Sequence, residues 1–213
     1  MYTPTHFAES RSEILHDIIR KHPLATLVTT SGDDITADHI PLYLSLQAGT
    51  PGSLQGHIAR ANPLCRNLPE HGIKVLAIFH GPACYISPSW YPSKQQNARV
   101  VPTWNYSVVH AHGTLRRIDD PAWLRQQIEI LTRQQEAAFE PPWAVSDAPD
   151  DFIDTRLRAI VGIEITLTHL TGKAKLSQNQ TPENQAGIIS RLKELNTPDA
   201  AEMIACMQGQ TVN

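Results

Sequence analysis

Cysteine is scarce in this chain: Cys65, Cys84 and Cys206 stand far apart, and no two form a CxxC pair. An odd, sparse set reads as reduced thiols rather than a disulfide framework. Without knuckle spacing it gives no support to a cysteine-held structural zinc. Aromatic residues are also few, at 6%, yet 41% of the 213 residues are hydrophobic. That excludes global disorder and leaves ample material for a core. Basic excess is missing: the formal net charge is -3 and the pI is near 6.3. A nucleic acid backbone is therefore not the expected main partner. No apolar run approaches the roughly 20 residues that span a bilayer. The stretch Met1 to Arg20 carries Glu9, Glu13 and Asp17 and lacks the apolar core of a signal peptide. A soluble, cytoplasmic protein is the expectation. GxGxxG, Walker, GxSxG and HExxH patterns are absent as well.

What is present is a regular alternation of short strands and turns. Ser12 to Lys21 has Ile14, Leu15, Ile18 and Ile19 at helical spacing, and His22-Pro23 ends it. Leu24 to Thr30 and Ile35 to Leu46 read as two strands of a hairpin around Ser31-Gly32-Asp33-Asp34. Leu54 to Ala59 reads as a third strand. Asn62-Pro63 has the chemistry of a helix start, Asn as cap and Pro at the first helical position. Lys74 to His80 is almost continuously apolar, as in a strand buried on both faces. Cys84 to Ser87 reads as its partner across a Gly81-Pro82 turn. Pro88 to Pro102 reads as a long loop, and Thr103 to Ile118 as a long strand. Helices are expected from Pro121 and over Asp150 to Arg158, with an alternating strand over Ile160 to Leu170. Two Thr-Pro-acid starts, at Thr181 and Thr197, open a C-terminal helical segment over about 181–208. Strand-turn-strand connections dominate the first half, which predicts a mainly β antiparallel barrel with peripheral helices in a single domain, 1–213.

Several segments could carry chemistry. In Gly56-His57-Ile58-Ala59-Arg60-Ala61-Asn62-Pro63 a strand delivers His57 and Arg60 to a helix start. Arg60 offers a planar cationic fork suited to phosphate, and reads equally as a solvated loop residue. Two of the four tryptophans and three of the five tyrosines fall within Tyr85 to Pro92 and Val101 to Tyr106. That density suits a cover for a flat ligand, a subunit interface, or ordinary strand-end packing. His110 and His112 share one strand face, but no acid nearby in sequence completes a metal site, so no metal is expected. Lys173 and Lys175 precede a run of hydroxyl and amide side chains, Ser177, Gln178 and Asn179; donors to an anionic ligand and a solvated turn are both open. Asp38 and His39 are strand neighbours facing opposite ways, so they form no dyad with each other.

In this order, these segments resemble the PaiB family of FMN-binding negative transcriptional regulators. The resemblance is carried by Met1-Tyr2-Thr3-Pro4 with His6-Phe7, by His57 to Pro63, by Tyr85-Ile86-Ser87-Pro88-Ser89-Trp90-Tyr91, by Val101-Pro102-Thr103-Trp104-Asn105-Tyr106, and by Lys175-Leu176-Ser177-Gln178-Asn179. It covers nearly the whole chain. It implies an FMN-binding split β-barrel, similar to pyridoxamine-phosphate oxidases and flavin reductases, working as a homodimer with FMN at the subunit interface. Carried onto this sequence, it implies His57, Arg60 and Asn62 at the FMN phosphate. Asp38, His39 and Ile40 would lie along the isoalloxazine edge. Trp104, Asn105, Lys175, Ser177 and Gln178 would come from the other subunit. Flavin-bound regulation is the leading function. A flavin-dependent oxidoreductase using NAD(P)H is the alternative, and a haem-binding or haem-degrading barrel with His110, His112 or His169 as axial ligand is a second one.

Overall fold

Residues 1–209 are described by the computed structural model; 210–213, the end of the expected 1–213 domain, lie outside the described residues. Along the chain, a 3-10 turn at Thr5–Phe7 leads into β1 (Ala8–Glu9), α1 (Ser12–Lys21), β2 (Leu24–Ser31), β3 (Asp34–Pro41), β4 (Tyr43–Ser45) and β5 (Ser53–Ala59). Then come α2 (Pro63–Asn67), β6 (Ile73–Ile86), a 3-10 turn at Pro88–Trp90, α3 (Lys94–Asn97), β7 (Thr103–Ile118) and α4 (Pro121–Glu136). The chain continues through a 3-10 turn at Val145–Asp147, α5 (Asp150–Arg158), β8 (Ile160–Lys175), α6 (Pro182–Leu195) and α7 (Pro198–Met207). The eight strands are ordered β3-β2-β6-β7-β8-β5-β4, with β1 paired to β8. The expected mainly β architecture with peripheral helices is what the chain forms.

The described residues group into two compact units. Of the described residues, unit 1 comprises 1–21, 80–110 and 171–209; unit 2 comprises 22–79 and 111–170. The chain passes from one to the other after α1 and inside β6, β7 and β8.

Unit 2 is built on antiparallel ladders. β2 pairs with β3 from Leu24 opposite Pro41 to Ser31 opposite Asp34, and β5 pairs with β8 from Ser53 opposite Thr166 to Ala59 opposite Ile160. Period-two alternation puts Leu54 and Ile58 of β5, with Ile163 and Ile165 of β8, in the core. A second cluster, Leu124, Val145, Ile153 and Leu157, joins α4 to α5 and the segment between them. Trp123 packs so closely on Gly162 that a Cβ there would sit 2.4 Å from its ring.

In unit 1, Ile86 and Tyr91 are buried against Ile188 and Leu192 of α6 and Ala200 and Met203 of α7. Both helices start as the sequence predicts. Thr181 accepts a hydrogen bond from Asn184 N–H and Thr197 one from Ala200 N–H, each with Pro at the first helical position.

Two differences from the sequence reading have clear causes. The predicted strand Ile35 to Leu46 is two strands, because Leu42 N–H donates to Pro23 O at 2.8 Å outside the ladder, and Pro41 has no N–H to give. The expected turn at Gly81-Pro82 does not form; β6 runs straight through. Gly81 marks a close approach instead, since a Cβ there would lie 2.3 Å from Ser107 Oγ.

Candidate functional site

In unit 2 the helix start at Asn62 forms as expected. Asn62 Oδ1 accepts from Leu64 N–H at 2.8 Å, and its Nδ2 donates to Asp38 Oδ1 at 3.1 Å. Asp38 and Asn62 therefore meet. They line a cavity of about 220 Å³ together with Thr29, Thr30, Ser31 and Thr36. Its chemistry is hydroxyl, amide and one carboxylate, with no cation on its walls among the described residues. His39 is exposed, and Ile40, two residues beyond Asp38, is buried.

Arg60 and His57 point elsewhere. The Arg60 guanidinium donates to Arg158 O, Ile160 O and Asp119 Oδ1, at 3.2, 3.0 and 3.0 Å. Arg117 grips both oxygens of the same carboxylate, at 2.6 and 2.7 Å. These bonds, from Arg117 first and then from Arg60, hold the Asp119 carboxyl below its ordinary range, against the opposing pull of burial. His57 Nδ1 lies 2.8 Å from Oε1 of Gln127 on α4, a side chain that is itself buried. Both residues thus serve the joints that fasten β5 to α4, α5 and β8. His112 stacks on His169, with ring centroids 4.3 Å apart and planes 9° from parallel.

In unit 1, the last strand end and the start of β7 converge. Asn105 is fully buried, and its Oδ1 accepts from Ser177 Oγ at 2.9 Å. Ser177 is buried too and holds φ at 62°, a left-handed conformation that a side chain normally avoids. Lys175 Nζ donates to Trp104 O at 2.9 Å and to Thr103 Oγ1. Gln178 is exposed, and its side chain braces the turn from both ends: Nε2 donates to Ala174 O and Oε1 accepts from Leu176 N–H, each at 2.6 Å. Asn105, Lys175 and Ser177 line a cavity of about 200 Å³, joined by Arg99 and by the polar side chains of Thr103, Asn179 and Gln180. Among the described residues, no carboxylate lines it.

Side chains alternate along β7, so Trp104 belongs to the opposite face. There Trp104 and Tyr85 meet edge to face at 5.9 Å, and Lys173 Nζ lies 5.3 Å from the centre of the Tyr106 ring. Trp104 and Tyr85 are 56% and 47% exposed, an uncovered aromatic pair.

The donor sets fit FMN in a divided way. A phosphate needs cations and hydrogen-bond donors without competing carboxylates, and the unit 1 cavity supplies that set. The Asp38 cavity, acidic and rich in hydroxyls, suits neutral polar groups. Neither cavity reaches the roughly 300–1,000 Å³ of a pocket that encloses a drug-sized ligand. The sequence reading missed Arg99 because it lies in a proline-rich stretch without periodicity. Its signal was a cation placed between the two aromatic segments.

Comparison with known proteins bears on the family and the fold. Residues 1–169 match the family described as "Putative FMN-binding domain". An uncharacterized protein of Emericella nidulans is 34% identical, over 96% of this chain and 95% of its own length. The protease synthase and sporulation protein PAI 2 of Bacillus subtilis is 29% identical, over 98% of this chain and 97% of its own. Among solved structures, the flavocytochrome Anf3 of Azotobacter vinelandii aligns with a TM-score of 0.57 at 13% identity, over 81% of this chain and 72% of that one. The FAD and heme binding protein of Mycobacterium smegmatis aligns with a TM-score of 0.55 at 18% identity, over 78% and 71%. At such identities the structural likeness speaks for the fold, a flavin-type split β-barrel. The chain belongs to the PaiB family, whose common domain is an FMN-binding one.

Proposed function

We propose that this protein is a flavin-holding negative regulator of the PaiB type, a cytoplasmic homodimer that seats the phosphate end of FMN in the unit 1 cavity. The observation that carries the reading is that cavity itself. It is lined by Lys175 and Arg99 and, among the described residues, by no carboxylate, and it rests on a fully buried Asn105 whose partner Ser177 is held at positive φ. Backbone strain of this kind costs about 1–3 kcal/mol and persists where the surroundings require it, most often at ligand sites.

Bound FMN supplies reversible electron transfer, a chemistry that no side chain here provides. The chain's part is to bind and orient it. Lys175 and Arg99 meet the phosphate charge; Asn105 and Ser177 fix the floor; Gln178 positions the turn that presents Lys175. The cavity, at about 200 Å³, holds one end of the molecule and not the flavin ring. The exposed Tyr85–Trp104 pair, on the other face of β7 from the cavity, is the surface proposed to meet a second copy.

Regulation through flavin state or through another protein fits the helices better than direct DNA reading. The α6–α7 pair is joined through Asn196 and Thr197, but α7 carries Asp199 and Glu202 and neither Lys nor Arg. It also buries Ala200 and Met203 in the core rather than presenting a basic face.

The test is a paired titration of the apoprotein with FMN and with riboflavin, which lacks the phosphate. The wild type should prefer FMN, and Lys175→Met should lose about 10- to 100-fold in FMN affinity with little change for riboflavin. An equal loss for both ligands, or no loss for either, refutes the phosphate assignment. Failure to bind either ligand refutes the flavin reading itself.

A further inference from the structure

Two segments bring Arg99 and Lys175 to the unit 1 cavity, and each carries a bend beside its cation. Arg99 follows Ala98, whose φ is 55°, and Lys175 lies two residues before Ser177, whose φ is 62°. Neither bent residue is a glycine, so each holds a left-handed conformation that its Cβ disfavours. Such backbone persists only where its surroundings hold it.

The start of α6 holds both segments. Asn184 is buried, at 4% exposure, and is not one of the cavity-lining side chains. Its Oδ1 accepts from Ser93 N–H at 3.3 Å, on the segment that leads to Arg99. Between Ser93 and Arg99 lies α3, closed by Ala98 N–H on Lys94 O at 3.0 Å, so a shift of Ser93 is carried to Arg99. The other end of the amide, Nδ2, donates to Gln180 Oε1 at 3.2 Å, and Gln180 N–H donates to Ser177 O at 2.9 Å. One side chain thus ties the Arg99 segment to the turn that follows Lys175. Asn184 N–H donates to Thr181 Oγ1 at 3.3 Å, which fixes the residue in the first turn of α6.

The approach of the helix is close. A Cβ on Gly187 would lie 2.3 Å from Trp90 O and 2.9 Å from Pro92 Cδ. Ile188 and Leu192 pack on the buried Ile86 and Tyr91 beside it. A buried amide engaged at both ends resists displacement, because moving either segment leaves a polar atom without a partner and away from water.

We propose, on the flavin reading above, that Asn184 is a positioning residue for the bound anion: by joining Ser93 to Gln180 it sets the separation at which Arg99 and Lys175 face a phosphate monoester. It touches no ligand itself. Cations held at a fixed spacing spare the ligand the cost of ordering them.

The test is a double-mutant cycle read as the preference for FMN over riboflavin, each titrated into the apoprotein. Asn184→Ala should reduce the wild-type preference about tenfold. In a Lys175→Met background the same change should reduce what remains by less than about twofold, because a spacing has no effect once one of the two cations is gone. Gly187→Ala is the second variant. It removes no hydrogen-bonding group and favours the helix, while its Cβ forces α6 away from Trp90. It should lower the preference in the same way, and it decides the matter in both backgrounds if Asn184→Ala does not fold. Thermal midpoints show which variants are folded at the titration temperature. A purely structural Asn184 would lower the midpoint and weaken both ligands alike. An unchanged preference in the folded variants, or an equal loss in the Lys175→Met background, overturns the positioning role and leaves the phosphate assignment standing. No preference for FMN in the wild type refutes the phosphate assignment, and the positioning role falls with it.

Discussion

Arg60 and Lys175 both lie in motifs that look made for an anion, and the fold treats them in opposite ways. Arg60 is enclosed by acceptors: two backbone carbonyls and the Asp119 carboxylate take its donors. Among the described residues Lys175 is held by neutral oxygens alone, at the wall of a cavity lined by no acid. The difference is between a cation with a carboxylate beside it and one whose recorded partners are neutral. A cation in a phosphate-like motif is informative only once its counter-charge has been located. Arg60 acts as a joint, whereas Lys175 has the surroundings of a ligand contact.

The largest expected effect on stability tests whether the floor of the offered site is under strain. Ser177→Ala removes the donor to the buried Asn105 Oδ1 and keeps a Cβ at φ 62°. It should destabilise by about 1–3 kcal/mol, the penalty of a buried group losing its partner. Ser177→Gly loses the same hydrogen bond but relaxes the backbone, and should recover about 1 kcal/mol relative to Ala. Urea midpoints of the two variants decide it. If Ala is as stable as Gly, the left-handed residue stores no strain.

Much of this contrast lay beyond the sequence, for a physical reason. Local signals were legible where the interaction is local. The caps at Asn62, Thr181 and Thr197, the bounds of β7, and the helix over Asp150–Arg158 follow from propensity and spacing. The motifs named Asn105, Lys175 and Ser177, and the structure brings those three together. Arg60 could not be read in the same way. Its partners Asp119, Arg158 and Ile160 are distant in sequence, and nothing periodic links them to it. The Gly81-Pro82 dipeptide shows the same limit: it carries a turn signature, but Ser107 on a neighbouring strand explains the glycine.

A smaller effect sharpens the comparison from the other side. Arg60→Gln removes the guanidinium from its three acceptors. Because the side chains of Arg60 and Asp119 are 45% and 53% exposed, water replaces much of what is lost. The variant should lose about 1 kcal/mol of stability. Its preference for FMN over riboflavin should match the wild type. A variant of normal stability that no longer distinguishes the two ligands would return Arg60 to the phosphate and erase the contrast.

The smallest effect is a pH dependence. Asp119 is depressed by Arg117 and Arg60, so its carboxylate stabilises the fold once the unfolded group is ionised. That contribution is full above the ordinary Asp range. It is lost as pH falls through the folded value, which lies below 3.8. Asp119→Asn should therefore be less stable than wild type near neutrality, by a fraction of a kcal/mol for so exposed a carboxylate. The gap should narrow as the pH is lowered below about 4. Denaturant midpoints for the two proteins across this interval measure it. Because Lys175 has no such carboxylate partner among the described residues, Lys175→Met should show no matching convergence with wild type over the same interval. A convergence equal to that of Asp119→Asn would mean that an acid neutralises Lys175 as well.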